Sequence, residues 1–148
     1  MDAKALAVLA TAFAGGLIAL QAPINSTLGK SVGSLAAASV SFAIGLAALV
    51  AITVIFAGGF GDIGEAGGLS WYYLTGGLLG AVYVTCALIA VRTLGAGGVT
   101  AATIAGQLTM SVVIDRAGLL GLEQRGLDLG RVLGIALLAA GTYLVVRD

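Results

Sequence analysis

Residues 99–122 read VTAATIAGQLTMSVVIDRAGLLGL, an apolar run long enough to cross the hydrocarbon of a bilayer that nevertheless carries Gln107, Asp115 and Arg116. A carboxylate near the bilayer centre costs about 2.5 to 3.5 kcal/mol on insertion scales, so it persists only where protein, water or a partner compensates it. Thr103, Gln107, Ser111 and Asp115 follow one another at i, i+4 spacing. On a helix that spacing makes one polar ribbon turning slowly about the axis, with Ile104, Leu108 and Val112 on another face. The ribbon must face protein or water, which makes Gln107, Ser111 and Asp115 candidate substrate-binding or translocation residues.

The rest of the chain is written for the same solvent. Of its 148 residues 59% are hydrophobic and 9% charged, with mean hydropathy +1.11, against roughly 25% charge in a soluble domain. An all-α integral membrane protein follows. At about 20 residues per helical span, four or five spans fit, and the pass along the chain gives five, at about residues 5–28, 35–57, 70–91, 99–120 and 131–146, in a single membrane domain over residues 1–148. Zero net charge and the lack of a basic run speak against a nucleic-acid partner. No His and a lone Cys86 leave no metal cluster, internal disulfide or implied cofactor, and no nucleophile with a nearby base argues for an enzyme. Lys4 before an apolar run, with Ala12-Phe13-Ala14, imitates a signal peptide; the four hydrophobic segments that follow favour a retained span.

The first span ends in its most informative residues. Gln21 and Asn25 stand one turn apart on one face, and Pro23 removes a backbone donor between them. Two readings stand: a broken polar helix end that binds a small molecule or ion, or an interfacial end where Asn25-Ser26-Thr27 meets water. Residues 29–34 read as a short connection carrying Lys30, with Ser34 capping the next helix. Ser39, Ser41 and Thr53 are expected to bond back to carbonyls of their own helix. Residues 58–70 hold only the acidic charges Asp62 and Glu65 and read as a flexible solvent loop, without the ligand count for calcium or the Gly-Lys-Ser/Thr of a phosphate loop.

The third span opens with the interfacial rings Trp71, Tyr72 and Tyr73. Gly76 and Gly80, and later Gly130 and Gly134, form small-xxx-small pairs that admit another backbone. Tyr83 either donates to a substrate or bonds a neighbouring helix. Arg92 and residues 95–98 then turn the chain into the fourth span. Asp115 also has two readings, a site that ionises or takes up a proton as the substrate moves, or a charge paired with Arg116 or a helix end at the interface. Gly118 and Gly121 place that end nearby, and Asp128 is placed to cap the last span.

Charge placement bears on assembly. With five spans Lys4, Arg116, Arg125 and Arg131 share one side while Lys30, Arg92 and Arg147 share the other, an imbalance too small to orient the chain. The expectation is insertion in both directions and an antiparallel homodimer, ten spans related by an in-plane two-fold axis as in many secondary transporters.

Three segments carry a family resemblance: LQAPINSTLG at residues 20–29, GGLLGAVYV at 76–84, and AGQ at 105–107 through IDRAGLLG at 114–121. Over nearly the whole chain the sequence resembles the YdcZ family of inner-membrane exporters in the drug/metabolite transporter superfamily. The resemblance implies a five-helix half of a ten-helix inverted-repeat transporter in the bacterial cytoplasmic (inner) membrane, occurring as dual-topology homodimers, paired genes or fused proteins. Its motif positions carry over as Gln21, Asn25, Gln107 and Asp115. The chain is similar in size to small multidrug resistance exporters but lacks their glutamate in span one, leaving Asp115 as the only intramembrane carboxylate for proton coupling. The expected function is secondary transport of a small polar or cationic metabolite by alternating access. The alternatives are a non-transporting scaffold or accessory subunit, or a small channel.

Overall fold

The structure, a computed structural model, describes residues 2–147, and their regular structure is helical throughout. The helices are α1 (Ala3–Val32), α2 (Ser34–Phe56), α3 (Gly76–Ala117) and α4 (Leu129–Val146), all four long and apolar enough to cross a membrane. Unbroken, the 42 residues of α3 would extend about 63 Å, twice the roughly 30 Å of bilayer hydrocarbon. They are not unbroken: Gly95 sits at φ 66°, ψ 172°, which no helix contains. The break leaves two arms, residues 76–94 and 96–117, so the described residues hold five α-helical segments.

Several boundaries differ from those the sequence predicts. α1 continues through residues 29–32, and the connection shrinks to Gly33, at φ 88° and ψ 151°. Ser34 is already inside α2 and caps nothing; no side chain caps that helix. The acidic connection is partly structured, with 3-10 turns over Gly61–Gly68 and Trp71–Thr75 ahead of α3. α3 ends at Ala117, where Gly118 takes the left-handed conformation that closes many helices. Asp128 does cap α4, its carboxylate accepting from the Arg131 amide at 2.8 Å.

The chain divides into two compact units, Met1–Arg92 and Thr93–Asp148. In the first, α1 and α2 form an antiparallel hairpin about Gly33. Asn25 bonds Ser41, and a Cβ on Gly29 would lie 3.6 Å from that of Ala37. The first arm of α3 lies along α2: Ala38, Val84 and Leu88 form a small buried cluster with Tyr83 packed against it, and the Phe42 ring reaches Gly80. In the second unit α4 runs antiparallel to the second arm. Arg131 meets Asp115, Thr142 Oγ1 donates to the Ala101 carbonyl at 3.1 Å, and Val146 lies over Gly98.

Little apolar surface is buried by these contacts. Phe13, Leu35 and Leu137 each remain more than 70% exposed, and outward apolar side chains run along every helix. In water such a surface would be untenable; in a bilayer it is covered by lipid or by another protein.

Candidate functional site

In the first unit, the sequence-predicted pair Gln21 and Asn25 does share a face. Both line an open groove of about 530 Å³ between α1 and α2, with Ser41 as the polar group on the opposite wall and Leu17, Ile24, Leu28, Val40 and Ile44 around them. Asn25 is 5% exposed and donates from Nδ2 to Ser41 Oγ at 3.2 Å. Ser41 is therefore not bonded to its own helix as expected, whereas Ser39 is, donating to the Leu35 carbonyl at 3.0 Å. The amide of Asn25 has further capacity beyond that one donation, and Gln21 is partly exposed to the groove. Pro23 lies inside α1, which continues past it for another nine residues, so the polar end is a kinkable stretch within the helix rather than its terminus. Tyr83 packs its ring against the Ala38–Val84–Leu88 cluster.

Arg92, which the sequence placed in a turn, is a contact residue. Its Nε donates to Ser26 Oγ and its Nη2 to Ser34 Oγ, both at 3.2 Å, tying the ends of α1 and α2 to the first arm of α3. Ser26 is 4% exposed; with Asn25 it completes the buried polar side chains among the described residues. A sequence signal for this was available: Lys30 and Arg92 fall on one side of a five-span topology, so the end of α1 and the end of the third segment had to share a membrane face.

The second unit holds the other predicted residues. Asp115 is paired with Arg131, Oδ2 to Nη1 at 3.2 Å, and not with its neighbour Arg116. Adjacent helical residues point about 100° apart, whereas Arg131 approaches from α4. Each partner side chain retains roughly a quarter to a third of its exposure. Arg131 also stands 3.7 Å from Asp128, one turn earlier. Residues 122–128 fold back on the end of α3, where the Arg125 amide donates to the Asp115 carbonyl and Gln124 Nε2 to the Arg116 carbonyl, each at 2.8 Å. These bonds satisfy carbonyls that a helix end otherwise leaves open. Gln107 and Ser111 are exposed, while Val112 beside them is buried. Of the four close-approach glycines, Gly76 and Gly134 have nothing within 4 Å of where a Cβ would stand, Gly80 meets Phe42, and Gly130 meets only Asp128.

A helical chain with membrane-crossing segments, a polar groove among apolar walls and a charge pair between two helices has the makings of a multi-pass membrane transport protein. Residues 6–144 match the family described as "Putative inner membrane exporter, YdcZ", and the chain belongs to that family. It is thus a multi-pass protein of the inner membrane, in a family of transporters rather than enzymes. No curated protein and no solved structure matches the chain significantly.

Proposed function

We propose that this protein is a secondary transporter that exports a small polar or cationic metabolite by alternating access, working as an antiparallel homodimer. The observation that carries the reading is the α1–α2 groove. Its volume, about 530 Å³, falls in the range of small-molecule sites, and its walls are apolar but for Gln21, Asn25 and Ser41. Such a lining orients a polar solute through a few hydrogen bonds while leaving the hydrocarbon undisturbed.

Asp115 supplies the coupling site in this reading. Arg131 neutralises it in the resting arrangement, and a proton or the substrate's cation replaces Arg131 as the substrate moves. Two features support a second copy as partner. Gln107 and Ser111 are exposed on an apolar helix, where lipid is a poor neighbour, and the faces at Gly76 and Gly134 are open for another backbone. Tyr83, packed against the Ala38–Val84–Leu88 cluster and outside the groove lining, is kept in this reading as a candidate hydrogen-bonding group.

One observation favours the scaffold reading. The Asp115–Arg131 pair is already satisfied within the chain, as helix glue would be. Proteoliposomes with an imposed proton gradient, challenged with a panel of small amines and polar metabolites, decide between them. Transport predicts proton-coupled flux that falls about tenfold or more in Gln21→Ala and in Asp115→Asn. Flux unchanged in both variants, with the dimer intact, overturns the site assignment.

A further inference from the structure

The opposite side of α1 carries a second concavity that the transport reading leaves unused. It measures about 500 Å³ and is lined by Pro23, Ser26, Thr27, Lys30, Val91 and Arg92. At 100° per residue, Ser26, Thr27 and Lys30 point away from Gln21, Asn25 and Leu28, so the two concavities share a helix but no lining residue.

We propose that this groove is a binding site for a phosphate group, held by Arg92 and Lys30 with the hydroxyls of Ser26 and Thr27. Two cations and two hydroxyls line it, yet no carboxylate answers them. The ion pairs among the described residues join Arg131 to Asp115 and to Asp128, and none involves Lys30 or Arg92. Helix ends do not make up the deficit. The C-terminal end of α1 and the N-terminal end of α2 meet at Gly33, and their opposite partial charges largely offset each other. Two full positive charges remain on one small surface.

Arg92 is also held in advance of any ligand. The Nε–H is engaged by Ser26 and one Nη2–H by Ser34, which leaves three of its five N–H donors in a fixed planar fork. Gly29 makes the room for that fork, since a Cβ there would come within 3.0 Å of Nη2. A clamp joining three helices accounts for Ser26 and Ser34 but not for Lys30, which is exposed and unpaired beside it. A tetrahedral oxyanion offers acceptors in several directions at once, matching a fork, an ammonium and two hydroxyls better than a single planar carboxylate does. Lys30 lies in the last turn of α1, at the end of a membrane-crossing helix where lipid phosphates are found, and soluble phosphate esters reach the same level from the water. The site stands whether or not the α1–α2 groove transports anything.

The full-length protein in detergent tests this by thermal unfolding and native mass spectrometry. The probes are phosphatidylglycerol, diacylglycerol as its phosphate-free control, glycerol phosphate and inorganic phosphate, at matched ionic strength. Wild type is expected to bind a phosphate-bearing probe, with apparent affinity about tenfold weaker in Lys30→Gln, whose clamp is intact, and in Arg92→Lys, which keeps the charge but loses the fork. Binding of phosphatidylglycerol alone identifies a lipid headgroup as the source; binding of glycerol phosphate or inorganic phosphate identifies a solute. Failure of all three phosphate probes to bind wild type, or equal binding by wild type and Lys30→Gln, overturns the proposal.

Discussion

Asn25 donates to Ser41 from a position almost sealed against its surroundings, so each residue is the other's compensation. Removing the amide strands only a hydroxyl that can turn to its own helix, whereas removing the hydroxyl strands a buried amide. A double-mutant cycle of Asn25→Ala and Ser41→Ala, read from unfolding in bicelles, should give a coupling of about 0.6 kcal/mol, the average for such bonds in membranes. Asp115→Asn should cost more, because it leaves Arg131 at a partly buried site with only the longer contact to the exposed Asp128. We expect a loss between the roughly 0.5 kcal/mol of an exposed pair and the roughly 3 kcal/mol of a buried one, reduced when Arg131→Met is added. At this scale the sequence was informative about polarity and poor about partners. That Gln21 and Asn25 share a face follows from their spacing alone. That Asp115 chooses Arg131 over Arg116 depends on how α4 docks, and no local pattern encodes a contact sixteen residues away.

Among the elements, α3 shows what a single conformation decides. Gly95 occupies a region of backbone space open essentially to glycine, and a side chain there costs about 1–3 kcal/mol. Gly95→Ala is therefore expected to lower the thermal unfolding midpoint, while Gly97→Ala, with only the Val145 methyl at 3.9 Å and no unusual φ, should shift it much less. Hydropathy pointed to the apolar stretches because a span needs a length set by the bilayer, and four helices have that length and composition, the third and fourth expected spans lying on the two arms of α3. It misjudged their ends because the chain contains 24 glycines and only a few of them stop a helix. Gly29 and Gly98 are helical, Gly33 and Gly95 are not, and composition treats them alike. The 3-10 turns over Gly61–Gly68 were invisible for the same reason: a glycine-rich acidic stretch carries no periodic pattern to read.

For the molecule as a whole, orientation is the property nearest to balance. A single cysteine at the exposed Gly64, in a Cys86→Ala background, should be labelled from outside intact cells in about half the molecules if both orientations coexist. Labelling entirely from one side would remove the antiparallel homodimer. Adding one cation to that same connection, Gly64→Lys, should skew the distribution, since a balance this even responds to a single charge. The one-residue turn at Gly33 has a bearing on how such a protein is made. With α1 and α2 joined so tightly, neither helix can enter the bilayer alone and leave its neighbour behind. The pair must be handed to the membrane as one piece, and the N-terminal residues and the acidic connection then emerge together on whichever side that piece selects. If both orientations form, reversal is therefore an inversion of this hairpin as a whole rather than a choice made helix by helix, and the product is two intact orientations in place of a population of half-inserted chains.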